Sequence, residues 1–282
     1  MDRNQTITEI RPKNGWFDID IKEIWQYRGL VGMFVKRSFT TMYKQTILGP
    51  LWFIINPLLT TLVFTVIFGN LANLSTDGVP PFLFYLAGNT VWSYFASCIT
   101  NTSSTFTANS GIMGKVYFPR ITMPLSVVIF GLLSFVIQFI MMIGFLMFYI
   151  FRGQVPMINS SVLWTPVLIL QVMLLGFGCG IIISSLTTKY RDLNILVGFG
   201  VSLWMYATPV VYASSTLPEK WRNILMLNPM SPVIETFRAI YLEGGQGIPY
   251  GYLTVSLVVT AVVVFLGVVL FSRVEKTFMD TV

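Results

Sequence analysis

Ionisable residues are scarce in this 282-residue chain: 18 Lys and Arg stand against 12 Asp and Glu, with no histidine. General acid–base catalysis needs titratable groups that converge on one bond. Asp77, Asp192, Glu219, Glu235 and Glu243 instead scatter along the chain and form no visible constellation. Lack of histidine removes the commonest metal ligand and proton carrier. The two cysteines, Cys98 and Cys179, fall in apolar sequence and read as small packing residues, not as a disulfide or metal pair. No G-x-x-x-x-G-K-S/T phosphate loop occurs, so the chain is not expected to hold ATP in the usual way. The sequence therefore predicts neither an enzyme nor a metal or cofactor site. What remains is three charged and aromatic breaks, at 109–120, 187–192 and 218–243, and a set of polar side chains inside apolar stretches.

Those apolar stretches must position everything else. Hydrophobic residues make up 54% of the chain and charged residues 11%, against about 25% charged in a soluble domain. Six intervals carry no charge at all: 45–76, 78–114, 121–151, 153–188, 193–218 and 244–272. A helix crosses the hydrocarbon core with roughly 20 apolar residues, and every interval is long enough. The expected fold is an all-α polytopic membrane protein with spans at about 47–69, 82–106, 122–150, 162–186, 193–213 and 252–272. The third is long enough to tilt or to extend beyond the bilayer, and Pro209 should kink or end the fifth.

Charge sets the orientation. Eight basic residues precede the first span, and Lys115, Arg120, Lys189, Arg191, Arg273 and Lys276 share their side, making 14 of the 18. The other side keeps Arg152, Lys220, Arg222 and Arg238. By the positive-inside rule both termini are expected in the cytoplasm, and the net charge of +6 reports topology, not nucleic-acid binding. The mixed, charged first 46 residues do not read as a cleavable signal peptide. Ion-coupled carriers place carboxylates or lysines at span centres, and many show repeated halves. This sequence shows neither feature, which counts against a secondary transporter.

The breaks have patterns of their own. Ile21, Ile24, Trp25 and Leu30 recur at helical spacing against Asp20, Lys22, Glu23 and Arg28. They predict a short amphipathic helix, lying either in the cytoplasmic interface or against a partner domain. Segment 109–120 exposes Ile112, Met113, Val116, Tyr117 and Phe118, which fits a docking surface or a strip lying on the membrane. Residues 218–227 and a second helix from Ser231-Pro232 form a helical hairpin outside, split by Asn228-Pro229. Each helix is too short to span, so the hairpin is expected on or partly in the outer leaflet. Glu235 and Arg238 fall at i, i+3 and can pair. Asn56, Asn89, Thr90, Ser93 and the cluster 100–104 should face a neighbouring helix or a cavity, since lipid offers no hydrogen bonds. Gly176, Gly178 and Gly180 should permit close helix packing.

Several runs together resemble a known family. Residues 43–52 (Tyr43, Lys44, Gln45, Thr46, Ile47, Leu48, Gly49, Pro50, Leu51, Trp52), followed by Asn56-Pro57-Leu58, resemble the start of span one of type-2 ABC exporters of polysaccharides. Residues 115–120 with Pro124, Tyr190-Arg191-Asp192, Thr208-Pro209-Val210, Asn228-Pro229 and Phe237-Arg238 complete the pattern in the family's order, from about Trp25 to Lys276. Permeases for lipid-linked O-antigen in the bacterial inner membrane are the nearest likeness, with capsule and teichoic-acid exporters sharing the architecture. The resemblance implies a homodimer of six-span subunits with two copies of a separate ATPase, which would bind the ATP and Mg, and no nucleic acid. It divides the chain into a cytoplasmic region 1–46 with its interfacial helix, a six-span domain 47–272 with a cytoplasmic coupling helix and a periplasmic hairpin, and a tail 273–282. Met113, Lys115, Val116, Tyr117, Phe118 and Arg120 would contact the ATPase. Arg191 and Asp192 would either do the same or stabilise a turn. Tyr43, Trp52, Phe53, Asn56, Asn89, Trp92, Tyr94, Phe95, Trp204 and Tyr206 are candidates for a sugar-bearing channel, because aromatic rings offer flat faces with polar tips. Interface anchoring or lipid contact would explain the same aromatics. Trp221, Pro229, Glu235, Phe237 and Arg238 would form a periplasmic gate, or a surface-lying connector. A type-2 exporter of a small molecule or lipid, or a membrane transferase acting on lipid-linked sugars, are the competing functions.

Overall fold

The computed structural model describes residues 25–44, 47–113, 118–156, 160–187, 192–243 and 247–281, and among them every regular element is helical. Ten α-helices follow in order: α1 Arg28–Lys44, α2 Trp52–Phe64, α3 Pro81–Ser103, α4 Thr105–Met113, α5 Thr122–Phe151, α6 Thr165–Thr187, α7 Leu193–Tyr206, α8 Glu219–Met226, α9 Met230–Leu242 and α10 Tyr250–Thr281. A short 3₁₀ turn at Gly49–Leu51 leads into α2, with Gly49 at φ 48° and Pro50 in its first turn. Such a left-handed start is open to glycine and closed to most other residues. Beyond Phe64 the chain widens into π-helical turns over Thr65–Leu71.

Four helical stretches are long and apolar enough to cross a membrane: Gly49–Leu71, Thr122–Phe151, Ser161–Thr187 and Tyr250–Val274. The chain is therefore a multi-pass membrane protein. Two expected spans look different. At 82–106 the structure places α3, which breaks at Ser104 before α4. Too polar to qualify on apolarity, α3 is buried along most of its length at the centre of the bundle, against α2, α5, α6, α7 and α9. At 193–213 helix α7 stops after 14 residues, roughly 21 Å of rise against the ~30 Å hydrocarbon core. Residues 207–217 then turn back with Pro209 buried.

Small and polar residues knit the bundle. A Cβ on Gly176 would sit 2.6 Å from Cys98 Cβ, and one on Gly180 would sit 2.6 Å from Thr102 Cβ, both across the α3–α6 contact. Cys98 thus fills the packing role its sequence suggests. Ser93 of α3 donates to Gln138 of α5 at 2.7 Å, Thr187 of α6 donates to the Ser103 carbonyl at 2.7 Å, and Gln171 donates to Ser256 of α10 at 2.6 Å. Polar residues inside these helices serve as interhelical glue, with Gln138 and Gln171 as members that sequence reasoning passed over.

Helix α1 is the larger surprise. The first half of the amphipathic pattern at 19–30 lies outside the described residues, while the described helix runs on to Lys44 and packs on α5. Val31 is buried, and Phe34 rests 5.9 Å from Phe118.

Candidate functional site

The bundle has two ends, and the end at which α7 stops holds a dense cluster of polar contacts. A helix ending short of the bilayer surface leaves carbonyls that lipid cannot satisfy. Asn228, in the α8–α9 junction, meets that need. Its Nδ2 donates to the Ala207 carbonyl at 3.0 Å and to Thr208 Oγ1 at 2.8 Å. Its Oδ1 accepts from Trp204 Nε1 and from the Met230 amide, both at 3.2 Å. The Asn-Pro pair that reads in sequence as a helix breaker is therefore also a bracket between α7 and α9.

Arg238 completes the anchoring. Its Nη1 donates to the Pro209 carbonyl at 2.5 Å and its Nη2 to the Val210 carbonyl at 2.6 Å. Its Cζ lies 3.6 Å from the centre of the Phe84 ring of α3, a cation–π arrangement. Gly88, one turn along α3, leaves room for this: a Cβ there would come 2.5 Å from Nη2 and 3.1 Å from the Val210 oxygen. Glu235 Oε1 is 3.9 Å from Nη1, so the i, i+3 pair forms as an ion pair with no direct hydrogen bond to that oxygen. Asp77 accepts from Ser215 Oγ at 2.6 Å on the same turn. Burial pushes the Glu235 carboxyl up, opposed by Arg238 and by hydrogen bonds from Ser214. Burial also brings the Arg238 guanidinium down to about 10, opposed by Glu235, Tyr85 and Asp77. It remains charged at neutral pH.

The two halves of the 218–243 hairpin differ: α8 is the outer one, with Trp221 exposed, and α9 is buried along almost its whole length. Phe237 and Arg238 are 1% and 2% exposed, and Pro229 caps the start of α9. Paired and ringed by carbonyls, the arginine enters the interior instead of facing water.

An open groove runs beside this turn. One part is lined by Ile99, Ile183, Val197, Gly200, Val201 and Trp204. The next is lined by Trp204, Tyr212, Leu217, Trp221, Ile224 and Asn228. Trp204 joins the two and is itself braced by Phe95 at 5.2 Å and Trp92 at 6.4 Å. The proposed channel residues therefore divide. Asn89, Trp92, Tyr94 and Phe95 are enclosed in the core, so within one chain they support the wall without forming its surface. Trp52, Asn56 and Tyr206 are exposed, Trp204 half-buried, and Phe53 half-buried with its edge to Phe130 at 6.5 Å. Trp52 and Asn56 lie on α2, and Trp204 and Tyr206 on α7. For Tyr43 only its place in α1 is described.

At the other end, Lys115, Val116, Tyr117 and Arg191 lie outside the described residues. Met113 ends α4, and Asp192 is exposed at the start of α7, where a carboxylate suits the helix dipole. Arg120 is half-buried. Phe118 departs from the sequence expectation: it is 6% exposed, covered by Phe34 of α1. A stripe of Tyr27, Leu30, Val31 and Phe34 at helical spacing was the available signal for that cover.

Comparison with known proteins adds the following. The profile of the ABC-2 type transporter family matches residues 30–242. An O-antigen export system permease protein, RfbA, of Klebsiella pneumoniae is 31% identical over 252 residues, covering 89% of this chain and 94% of the relative. A second Klebsiella pneumoniae protein of that name is 30% identical over 252 residues with the same coverage. One from Myxococcus xanthus is 31% identical over 225 residues, covering 79% of this chain and 84% of its own length.

Proposed function

Because the chain belongs to the ABC-2 type transporter family, we propose that it is the membrane-spanning permease of an ATP-driven exporter of lipid-linked polysaccharide of the O-antigen type. The single observation carrying the substrate class is the near full-length likeness to three permeases so named. A transport subunit of this family leaves ATP and Mg to a partner ATPase, two copies of which would serve a homodimer of this chain. The dimer would sit in a bacterial inner membrane with both termini of each copy in the cytoplasm. Helices α3 and α7, with the turn after α7, would complete six crossings, and residues 47–272 would form the transport domain.

Uncovered apolar faces on α2 and α7 support the second copy. On α7, Ile195, Leu196, Phe199, Leu203 and Tyr206 are all exposed. The groove through Trp204, Tyr212 and Trp221 gives such a dimer aromatic faces and few charges, suited to a hydroxylated chain that must slide rather than stick. Removing the chain from its host should accumulate a lipid-linked glycan on the cytoplasmic side, measured by lipid extraction and mass spectrometry. Unchanged glycolipid pools and normal surface polysaccharide would overturn the reading.

The segment 113–120 would carry ATPase closure into the spans through Met113, Lys115, Val116, Tyr117, Phe118 and Arg120, with Asp192 and Arg191 beside it. Because Phe118 is covered by Phe34, its part is to seat the segment while Lys115 and Arg120 reach the partner. Replacing Lys115, Phe118 and Arg120 together by alanine should leave ATP hydrolysis running while export stops. The check is glycan exported per ATP hydrolysed in membrane vesicles, and an unchanged ratio would exclude this coupling route.

A further inference from the structure

Resting on the exporter reading above, we propose that Arg238 and Glu235 form a two-position clasp on the 207–217 turn. With the turn seated, the guanidinium grips the Pro209 and Val210 carbonyls. When the turn leaves, it transfers to the Glu235 carboxylate, so the turn moves without stranding a buried charge.

Several observations carry this. Arg238 commits only its two Nη groups to the turn, and its buried Nε has no hydrogen-bond partner. Glu235 Oε1 is likewise buried without one, at 3.9 Å from Nη1. An unpartnered carboxylate oxygen thus stands 3.9 Å from the Nη1 that now grips Pro209, on a guanidinium whose Nε is also unpartnered, with both residues on the same helix. Forming the close pair needs only a side-chain adjustment, and charge-assisted hydrogen bonds to a carboxylate are among the stronger ones available. A buried guanidinium without any acceptor would make release of the turn costly. Glu235 removes that obstacle. The gripped turn abuts the Trp204–Tyr212 groove, so its position sets the width of the proposed path.

Removing the two partners should have opposite effects. Val211 is buried on the turn at 3% exposure, so labelling of Val211→Cys by a membrane-impermeant thiol reagent reports unseating, with the unsubstituted chain as baseline. In membranes holding the permease with its ATPase, Arg238→Gln should raise the labelling rate about tenfold, the scale of losing a buried charged contact. Arg238→Lys should raise it less, because an ammonium cannot bridge two carbonyls as a planar fork does. Gly88→Ala, which pushes Nη2 off the Val210 oxygen, should match Arg238→Gln. Glu235→Gln removes the charged second seat, so labelling should fall below wild type and export with it. A rise in Glu235→Gln as well would mean ordinary destabilisation and overturn the clasp, as would unchanged labelling throughout. Loss of Arg238→Gln, Arg238→Lys and Gly88→Ala from the membrane alike would assign the cluster to folding and also overturn it. Labelling makes no reference to any glycan, so the expected pattern in a chain that exports no polysaccharide would sink the exporter reading and leave the clasp standing.

Discussion

Gly178→Leu is expected to leave little or no assembled protein in the membrane. A Cβ at this position would lie 3.0 Å from both the Cα and the amide nitrogen of Val264 on α10. From the other side, a Cβ on Gly267 would come 2.8 Å from the Gly178 carbonyl oxygen. The backbones of α6 and α10 therefore touch directly, with the Val263 and Ile181 side chains packed tightly beside the contact. Overpacking a core that can adjust costs about 1–3 kcal/mol. Here the helices must separate along their whole contact, so the cost should reach or pass the top of that range. Gly144→Leu is the matched control, since nothing lies within 4 Å of its Cβ position on the same kind of helix. The yield of extracted protein and the thermal midpoint in detergent measure both. Equal yield and midpoint for the two variants would show that the α6–α10 contact does not depend on glycine.

Asn228→Ala should be the second large loss. It removes two donations, to Ala207 and Thr208, and two acceptances, from Trp204 and Met230. Thr208 and Met230 are buried, Trp204 half-buried and Ala207 exposed; each buried partner left unsatisfied costs about 1–3 kcal/mol, so about 2–4 kcal/mol in total is expected, with Trp204 freed to swing. Asn228→Asp should recover part of this, because it retains the two acceptor bonds but meets the Ala207 carbonyl with a like dipole. The expected order of thermal midpoints is wild type, then Asp, then Ala, and export should follow it. A thermal midpoint for Asn228→Ala within a degree or two of wild type would show that the bracket is dispensable.

These two residues show how differently the sequence speaks about different parts of the chain. The packing role of Gly176, Gly178 and Gly180 is legible because small residues in an apolar helix have few other uses. Asn228-Pro229 is legible as a helix break, but its four partners come from α7, the following turn and the start of α9, which no local pattern brings together. The same holds for the aromatics. Trp92 and Phe95 share a span with polar residues and look available to a channel, yet α3 is central and they are buried behind Trp204. Phe118 looks exposed on a loop until α1 covers it.

What the sequence alone determined is the solvent. The uncharged intervals follow from the cost of charge in hydrocarbon, a property of each segment independent of its neighbours. Membrane residence and the family resemblance follow from such local signals. Only the tertiary structure decided which apolar helix is central, which face stays open and where Arg238 goes. An arginine in a short amphipathic segment reads as a surface charge, because by itself it can find no better partner than water. Folding supplies two turn carbonyls, an aromatic face, a carboxylate and the space over Gly88. These come from three stretches of chain, α3, the turn after α7 and α9 itself, and only their convergence makes burial of that charge favourable.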